Sequence, residues 1–98
     1  MKVLKEAIAG TLESSDLLVK VAPSEKETLD IVIKSEVIKQ FGKQIRRVVT
    51  ETLGKLSVSA GSIVIEDKGA LDCVIQARVQ AAVLRGCGSE DIDWRRLS

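Results

Sequence analysis

Few residues in this chain could take part in covalent chemistry, and the densest group lies in the stretch GTLESSD (residues 10–16). Two adjacent hydroxyls, Ser14 and Ser15, stand between two carboxylates, Glu13 and Asp16. A serine in such a polar segment can cap a helix, stabilise a turn, or present its hydroxyl for covalent modification. On residue type alone, the turn is the commonest of these roles.

Independent catalysis has little support in the rest of the sequence. There is no histidine, so neither a Ser/His/Asp nor a Cys/His arrangement can be assembled, and no GxxxxGK[ST] or GxGxxG phosphate loop is present. Cys73 and Cys87 lack metal-ligand spacing, so we expect two free thiols, with Cys73 packing as a small hydrophobic residue. We therefore predict no catalytic residue and no metal site, although carboxylate-based or lysine-based chemistry stays open.

Composition indicates one small domain. The chain has 98 residues, of which 45% are hydrophobic, and we predict a single domain over residues 1–86 followed by a polar tail over residues 87–98. A net charge of +1 and an aromatic content of 2% argue against nucleic-acid binding. The apolar runs are too short to cross a bilayer, and the first ten residues lack a secretory apolar region. We expect a cytoplasmic protein without a membrane partner.

Four stretches predict strands. DLLVKVAP and TLDIVIKS alternate apolar and other residues, and the APSEKE turn between them favours an antiparallel hairpin. EAIAGTLES predicts an earlier strand that bends near Gly10, and SVSAGSIVIEDKG predicts a later one. The positions predicted to face the core are Leu17, Val19, Val21, Leu29, Ile31, Ile33, Ile63 and Ile65.

Two stretches predict helices. SEVIKQFGKQIRRVVTETLGKL has apolar residues three and four apart, with Ser35 as the expected N-cap and Gly54 as the expected stop. DKGALDCVIQARVQAAVLRGCG predicts a second helix that ends near Gly86 and Gly88. Its predicted buried stripe is Leu71, Val74, Ile75, Val79, Ala82 and Val83. The basic residues Lys39, Lys43, Arg46 and Arg47 predict a solvated face of the first helix, with docking to an acidic partner as the alternative.

The order β-β-β-α-β-α predicts an α+β two-layer sandwich, in which two helices pack on one face of a mostly antiparallel sheet of about four strands. Ser14 then falls in the turn between the first two strands, where accessible functional side chains are common. The two-residue period after Asp16 argues against a helix cap at Ser14 or Ser15.

Two long segments carry a family resemblance. AGTLESSDLLVKVAP (residues 9–23) and EDKGALDCVIQARVQAA (residues 66–82) resemble signature segments of the acyl carrier, or gamma, subunits of citrate lyase. The chain length and FGKQIRRVV in the middle helix agree with this. The delta subunit of malonate decarboxylase is similar but more distant. The strand periods contradict the four-helix acyl carrier of fatty-acid synthesis.

The resemblance implies a non-catalytic carrier. In that family phosphoribosyl-dephospho-CoA is joined by a phosphodiester to the serine after GTLE, which is Ser14 here, whereas Ser15 falls where no hydroxyl is needed. The implied partners are a prosthetic-group transferase, a lyase alpha subunit that exchanges acetyl for citryl, and a beta subunit that releases oxaloacetate. The alternatives are a carrier of a malonate decarboxylase and an unmodified α+β interaction module.

Glu13 and Asp16 are expected to be solvated turn carboxylates. The alternative is that they position the modifying enzyme or a metal-bound nucleotide substrate. Trp94, Arg95 and Arg96 in the tail either fold onto a lyase subunit or form a frayed end.

Overall fold

The structure, a computed structural model, describes residues 2–35 and 38–88. Four strands and two helices follow one another in the predicted order. They are β1 (Ala7–Gly10), β2 (Leu17–Ala22), β3 (Leu29–Ser35), α1 (Ile38–Lys55), β4 (Gly61–Asp67) and α2 (Asp72–Cys87). The predicted polar tail, with Trp94, lies outside the described residues except at its start.

The four strands form one sheet in the order β1-β2-β4-β3. The pairs β1–β2 and β2–β4 are antiparallel, whereas β3 runs parallel to β4. The α+β class is therefore confirmed, with a mixed sheet. Within the described part of the chain, no helix is long and apolar enough to cross a bilayer.

The predicted hairpin between β2 and β3 is wrong. β4 lies between these two strands and pairs with both, for example through Ile65 with Val19 and with Ile33. Parallel strands need a crossover, and α1 provides it between β3 and β4. The loop of residues 23–28 therefore passes over the end of β4 instead of making a tight turn.

The alternation predicted for the strands is confirmed by burial. Leu17, Val19, Ile63 and Ile65 are fully buried, and β3 alternates between partly buried and exposed positions. α2 packs against β1 and β2, and α1 packs against β3 and α2. Helices on one face therefore cover the apolar side of the sheet, and the opposite face leaves Ile8 and Val32 about half exposed.

Ser35 is the last residue of β3, and its hydroxyl donates to Asp67 at 3.0 Å. The predicted N-cap contact of Ser35 with the first turn of the helix falls on residues outside the described part of the chain. Two other predictions at the helix ends are wrong. Gly54 lies inside α1, which continues to Lys55, and the left-handed residue that follows the helix is Ser57 (φ 57°), whose amide donates to the Gly54 carbonyl at 3.0 Å. Leu71 precedes the first turn of α2 and is 69% exposed, so it is not part of the buried stripe.

The C-terminal end of α2 was located correctly, but its two glycines differ. Gly88 is the C-cap in the left-handed region (φ 60°). Gly86 is still helical, and a Cβ there would meet the side chain of Val21 at 2.6 Å. Because the helix approaches β2 so closely at this point, a glycine is required for packing.

Candidate functional site

Ser14 lies in the connection between β1 and β2, which we call the serine turn (residues 11–16). Its side chain is exposed, and among the described residues its hydroxyl has no hydrogen-bond partner. The prediction that Ser14 occupies a turn between the first two strands is confirmed.

The serine turn begins at a glycine whose conformation is required. Gly10 has φ +92°, and a Cβ there would overlap the carbonyl oxygen of Leu17. The amide of Thr11 donates to that same carbonyl at 3.2 Å. The chain can therefore bend directly after β1 only because residue 10 has no side chain.

Asp16 is the centre of the hydrogen-bond network in the serine turn. Its carboxylate accepts the Thr11 hydroxyl at 2.7 Å and the Leu17 amide at 2.8 Å. Arg78 of α2 binds both oxygens, through Nε at 3.1 Å and Nη2 at 2.9 Å. Such a bidentate pair fixes geometry as well as charge. The turn is thus attached to the helix layer.

This environment keeps Asp16 charged. Hydrogen bonds from Arg78, then from Thr11 and the Leu17 amide, lower the pKa of Asp16 from 3.8 to about 2. The side chain of Asp16 is only 14% exposed. The expectation of a solvated carboxylate is wrong for Asp16, because Arg78 replaces water as its partner; Glu13 is exposed, as predicted.

Backbone hydrogen bonds join the serine turn to the loop after β4. The Ser15 amide donates to the Lys68 carbonyl at 2.8 Å, and the Lys68 amide donates to the Asp16 carbonyl at 2.9 Å. Ser15 adopts φ 65°, a conformation uncommon for a residue with a side chain. Since the backbone on the C-terminal side of Ser14 is held in this way, the Ser14 hydroxyl projects from a fixed support.

Asp67 is a second structural carboxylate, which the sequence interpretation did not identify. It is 2% exposed and, besides Ser35, accepts the amides of Gly69 at 3.1 Å and Ala70 at 3.0 Å. It therefore shapes the loop to which the serine turn is bound. The DKG sequence that begins at the last residue of β4 is a turn signal that could have indicated this role.

The remaining candidate residues do not gather at Ser14. Both cysteines are free, as predicted, but Cys73 is exposed and only Cys87 is buried, where burial raises the pKa of its thiol. Lys43, Arg46 and Arg47 are exposed on α1, in agreement with a solvated face, whereas Trp94, Arg95 and Arg96 and the side chain of Lys39 lie outside the described residues. No group of three or more potential metal ligands occurs within residues 2–35 and 38–88.

The chemistry available at Ser14 is that of an accessible hydroxyl. The chain has no histidine, and the carboxylate of Asp16 is engaged by Arg78 and Thr11. The adjacent carboxylate, Glu13, is exposed. The Ser14 hydroxyl is therefore placed where another enzyme can reach it.

Comparison with known proteins gives one family and many full-length relatives. The family described as "Malonate decarboxylase delta subunit (MdcD)" matches residues 4–86. A protein from Enterobacter sp. (strain 638) named "Citrate lyase acyl carrier protein" is 63% identical over 98 residues, which is all of both chains. Proteins of the same name from Albidiferax ferrireducens and Vibrio cholerae serotype O1 are 62% identical over 97 residues (99% of each chain) and 52% identical over 98 residues (100% of each).

Proposed function

This chain belongs to the acyl carrier family that includes the malonate decarboxylase delta subunit and the citrate lyase acyl carrier proteins, and we propose that it is the acyl carrier subunit of a citrate lyase. The observation that carries this proposal is the identity of 61–63% over essentially the whole length to proteins with that name. In this role the chain carries acyl groups and performs no bond cleavage of its own.

Ser14 is the proposed attachment point for phosphoribosyl-dephospho-CoA. Three features support the choice: its hydroxyl is exposed, the hydroxyl has no hydrogen-bond partner among the described residues, and the turn around it is held by Asp16 and Lys68. A phosphodiester adds negative charge beside the turn. Because Arg78 already neutralises Asp16, the added charge meets less repulsion than an unpaired carboxylate would cause.

Attachment requires the Ser14 oxygen to lose its proton and to form a bond to phosphorus, while the donor's leaving group departs from the same phosphorus. With no histidine in the chain, the base belongs to the modifying transferase. The contribution of this chain is to hold the hydroxyl in one position, which reduces the entropy lost when the transferase binds it.

When bound, the group supplies a thiol that carries acetyl or citryl as a thioester. In the proposed complex the alpha subunit would exchange the acetyl group for citryl, with release of acetate, and the beta subunit would cleave the citryl thioester to oxaloacetate and the acetyl thioester. The chain presents the thioester to both, and the fixed serine turn anchors it at the surface. We place this complex in the cytoplasm.

Intact mass spectrometry of the chain co-expressed with the modifying enzymes tests the proposal. We expect a mass increase equal to phosphoribosyl-dephospho-CoA, which Ser14→Ala abolishes. Ser15→Gly is the matched control, since it removes the neighbouring hydroxyl and suits the positive φ of that residue. The proposal is wrong if the wild-type chain gains no mass, or if Ser15→Gly loses the adduct and Ser14→Ala keeps it.

A carrier for malonate decarboxylase is the second candidate, because the matching family is described by that enzyme's delta subunit. Modified chain added to the other subunits of each enzyme separates the two. A citrate lyase carrier restores oxaloacetate formation from citrate and does not restore carbon dioxide release from malonate. The reverse result would favour the decarboxylase, and an unmodified chain that binds either enzyme would favour an interaction module.

A further inference from the structure

A cavity of about 600 Å³ opens between α1 and α2 at the end of the sheet where the serine turn lies. Its wall includes Ile45 of α1, Ile75 of α2 and Ala70 of the loop between β4 and α2. Ile45 and Ile75 belong to the buried core, so the apolar floor is part of the folded framework. A volume of this size is typical of sites for small molecules.

The cavity is adjacent to the serine turn through one loop. Asp67 and Gly69 both line the cavity, and the residue between them, Lys68, accepts the amide of Ser15 at 2.8 Å. Lys68 is therefore bonded to Ser15, the neighbour of Ser14, and is flanked in the sequence by two residues of the cavity wall. A flexible group attached to Ser14 has the cavity next to its anchor.

The described part of the cavity lining carries charge of one sign. Among these residues two are acidic, Asp67 and Asp72, and none is basic. Asp67 is buried and accepts the amides of Gly69 and Ala70, and Asp72 accepts the side-chain amide of Gln44 at 3.1 Å. An apolar floor beside these two carboxylates favours an uncharged occupant over one that carries carboxylates.

We propose that this cavity shelters the acetyl thioester end of the group carried on Ser14 and excludes the citryl thioester, an inference that rests on the proposed function. An acetyl thioester is small and uncharged, whereas a citryl thioester keeps two free carboxylates. The resting acetyl form lies against Ile45 and Ile75, away from water that would hydrolyse it. After exchange, repulsion by Asp67 and Asp72 leaves the citryl form outside, where the lyase subunit can reach it.

The test uses two thiol caps of almost equal size that differ in charge. Iodoacetamide gives the terminal thiol of the carried group a neutral carbamidomethyl cap, and iodoacetate gives it an anionic carboxymethyl cap. The chain carries Cys73→Ser, because Cys73 is exposed and would react too, whereas Cys87 is buried. Mass spectrometry first verifies the prosthetic group and the single cap, and ¹H–¹⁵N spectra then compare each capped chain with the unmodified chain.

We expect the neutral cap to shift the amide signals of Ile45, Ala70 and Ile75, and the anionic cap to shift them much less. Asp72→Asn should bring the shifts caused by the anionic cap closer to those caused by the neutral cap, since it removes one of the two acidic side chains. The inference is overturned if the neutral cap leaves the cavity signals unchanged, or if the anionic cap shifts the same signals as strongly. A chain that never gains the prosthetic group overturns the proposed function instead, and the inference with it.

A variant that fills the cavity gives an independent check. Cys73 lines the cavity and is exposed, so Cys73→Phe adds volume there without replacing a core residue. Cys73→Ser is the matched variant at the same position. In the Cys73→Ser chain, the neutral cap should shift the amide signals of Ala70 and Ile75. In the Cys73→Phe chain, these shifts should be absent. Each capped chain is compared with the same variant without the prosthetic group. Equal shifts in both variants would place the capped thiol elsewhere.

Discussion

The serine turn and the loop of residues 23–28, at the opposite end of the sheet, look alike in two respects. Each contains one non-glycine residue with positive φ, Ser15 at 65° and Glu27 at 53°. Each also has a carboxylate paired with a cation at 2.9 Å, Asp16 with Arg78 and Glu27 with Lys2. Judged by distance alone, the two loops are equally well held.

Burial and hydrogen bonding separate them. The side chain of Asp16 is 14% exposed, and its oxygens accept from Thr11 and the Leu17 amide as well as from Arg78. The side chain of Glu27 is 76% exposed and, among the described residues, is paired with Lys2 alone. Exposed ion pairs contribute little to stability, because solvent screens them and both side chains lose freedom. Of these two loops, the serine turn is therefore the one whose conformation is stabilised by its ion pair.

The largest expected effect comes from a methyl group at the start of the serine turn. Gly10→Ala places a Cβ against the Leu17 carbonyl at a φ of +92°, and we expect it to lower the free energy of unfolding by about 2–3 kcal/mol. Gly69→Ala is the matched control, since Gly69 has φ +90° but nothing within 4 Å of a Cβ. Urea denaturation should give a clearly smaller loss for Gly69→Ala. Equal losses would mean that the close approach to Leu17 is unimportant.

Removing the cation from each ion pair tests the comparison directly. Arg78→Ala leaves Asp16 largely buried without its bidentate partner, and we expect the rate at which the transferase modifies Ser14 to fall about tenfold. Lys2→Ala breaks a pair of the same length at the surface and should change that rate by less than about twofold. Time-resolved intact mass spectrometry gives both rates. Similar rates for the two variants would show that the ion pair does not organise the serine turn.

The smallest expected effect is the change in stability with acid pH, which should differ between Asp16 and Glu27. The pKa of Asp16 is lowered from 3.8 to about 2 in the folded chain, so the unfolded chain binds more protons between these values. The stabilisation from Asp16 is thus present above about pH 4 and is lost as the pH falls through about 2. The stability advantage of the wild-type chain over Asp16→Asn should shrink across this range.

Glu27→Gln provides the control for the titration. The pKa of Glu27 is also lowered, by Lys2, but this carboxylate is exposed, so its contribution is screened. Denaturation curves across the acid range give the difference in the free energy of unfolding between the wild type and each variant. This difference should depend less on pH for Glu27→Gln than for Asp16→Asn. The opposite order would contradict the distinction between the two loops.

Much of the fold was predictable because a strand or helix with one buried face has apolar residues at a regular spacing in the sequence. The two-residue period located β2, β3 and β4 and their inward faces, including Val19, Ile63 and Ile65. The same period says nothing about which strands are neighbours, so β2 and β3 were paired across a short loop although β4 lies between them. Strand order depends on contacts between distant segments, which local patterns do not record.

The site was predictable in position and less so in structure. GTLESSD located the serine turn, but the partner that holds it, Arg78, is 62 positions from Asp16. A signal for Arg78 was present: it lies three residues after Ile75 and four after Val74, so a charged residue interrupts the apolar stripe of α2. A charge on a buried stripe predicts a partner without identifying it.

The central claim, that Ser14 carries the prosthetic group, is tested most directly on the unaltered chain. Trypsin cleaves after Lys5 and Lys20, and the peptide of residues 6–20 contains both Ser14 and Ser15. Tandem mass spectrometry of this peptide from the co-expressed chain locates the adduct on one hydroxyl. We expect the added mass on fragments that include Ser14 and on none that contain Ser15 without it. An adduct on Ser15, on Thr11 or on another peptide would contradict the account.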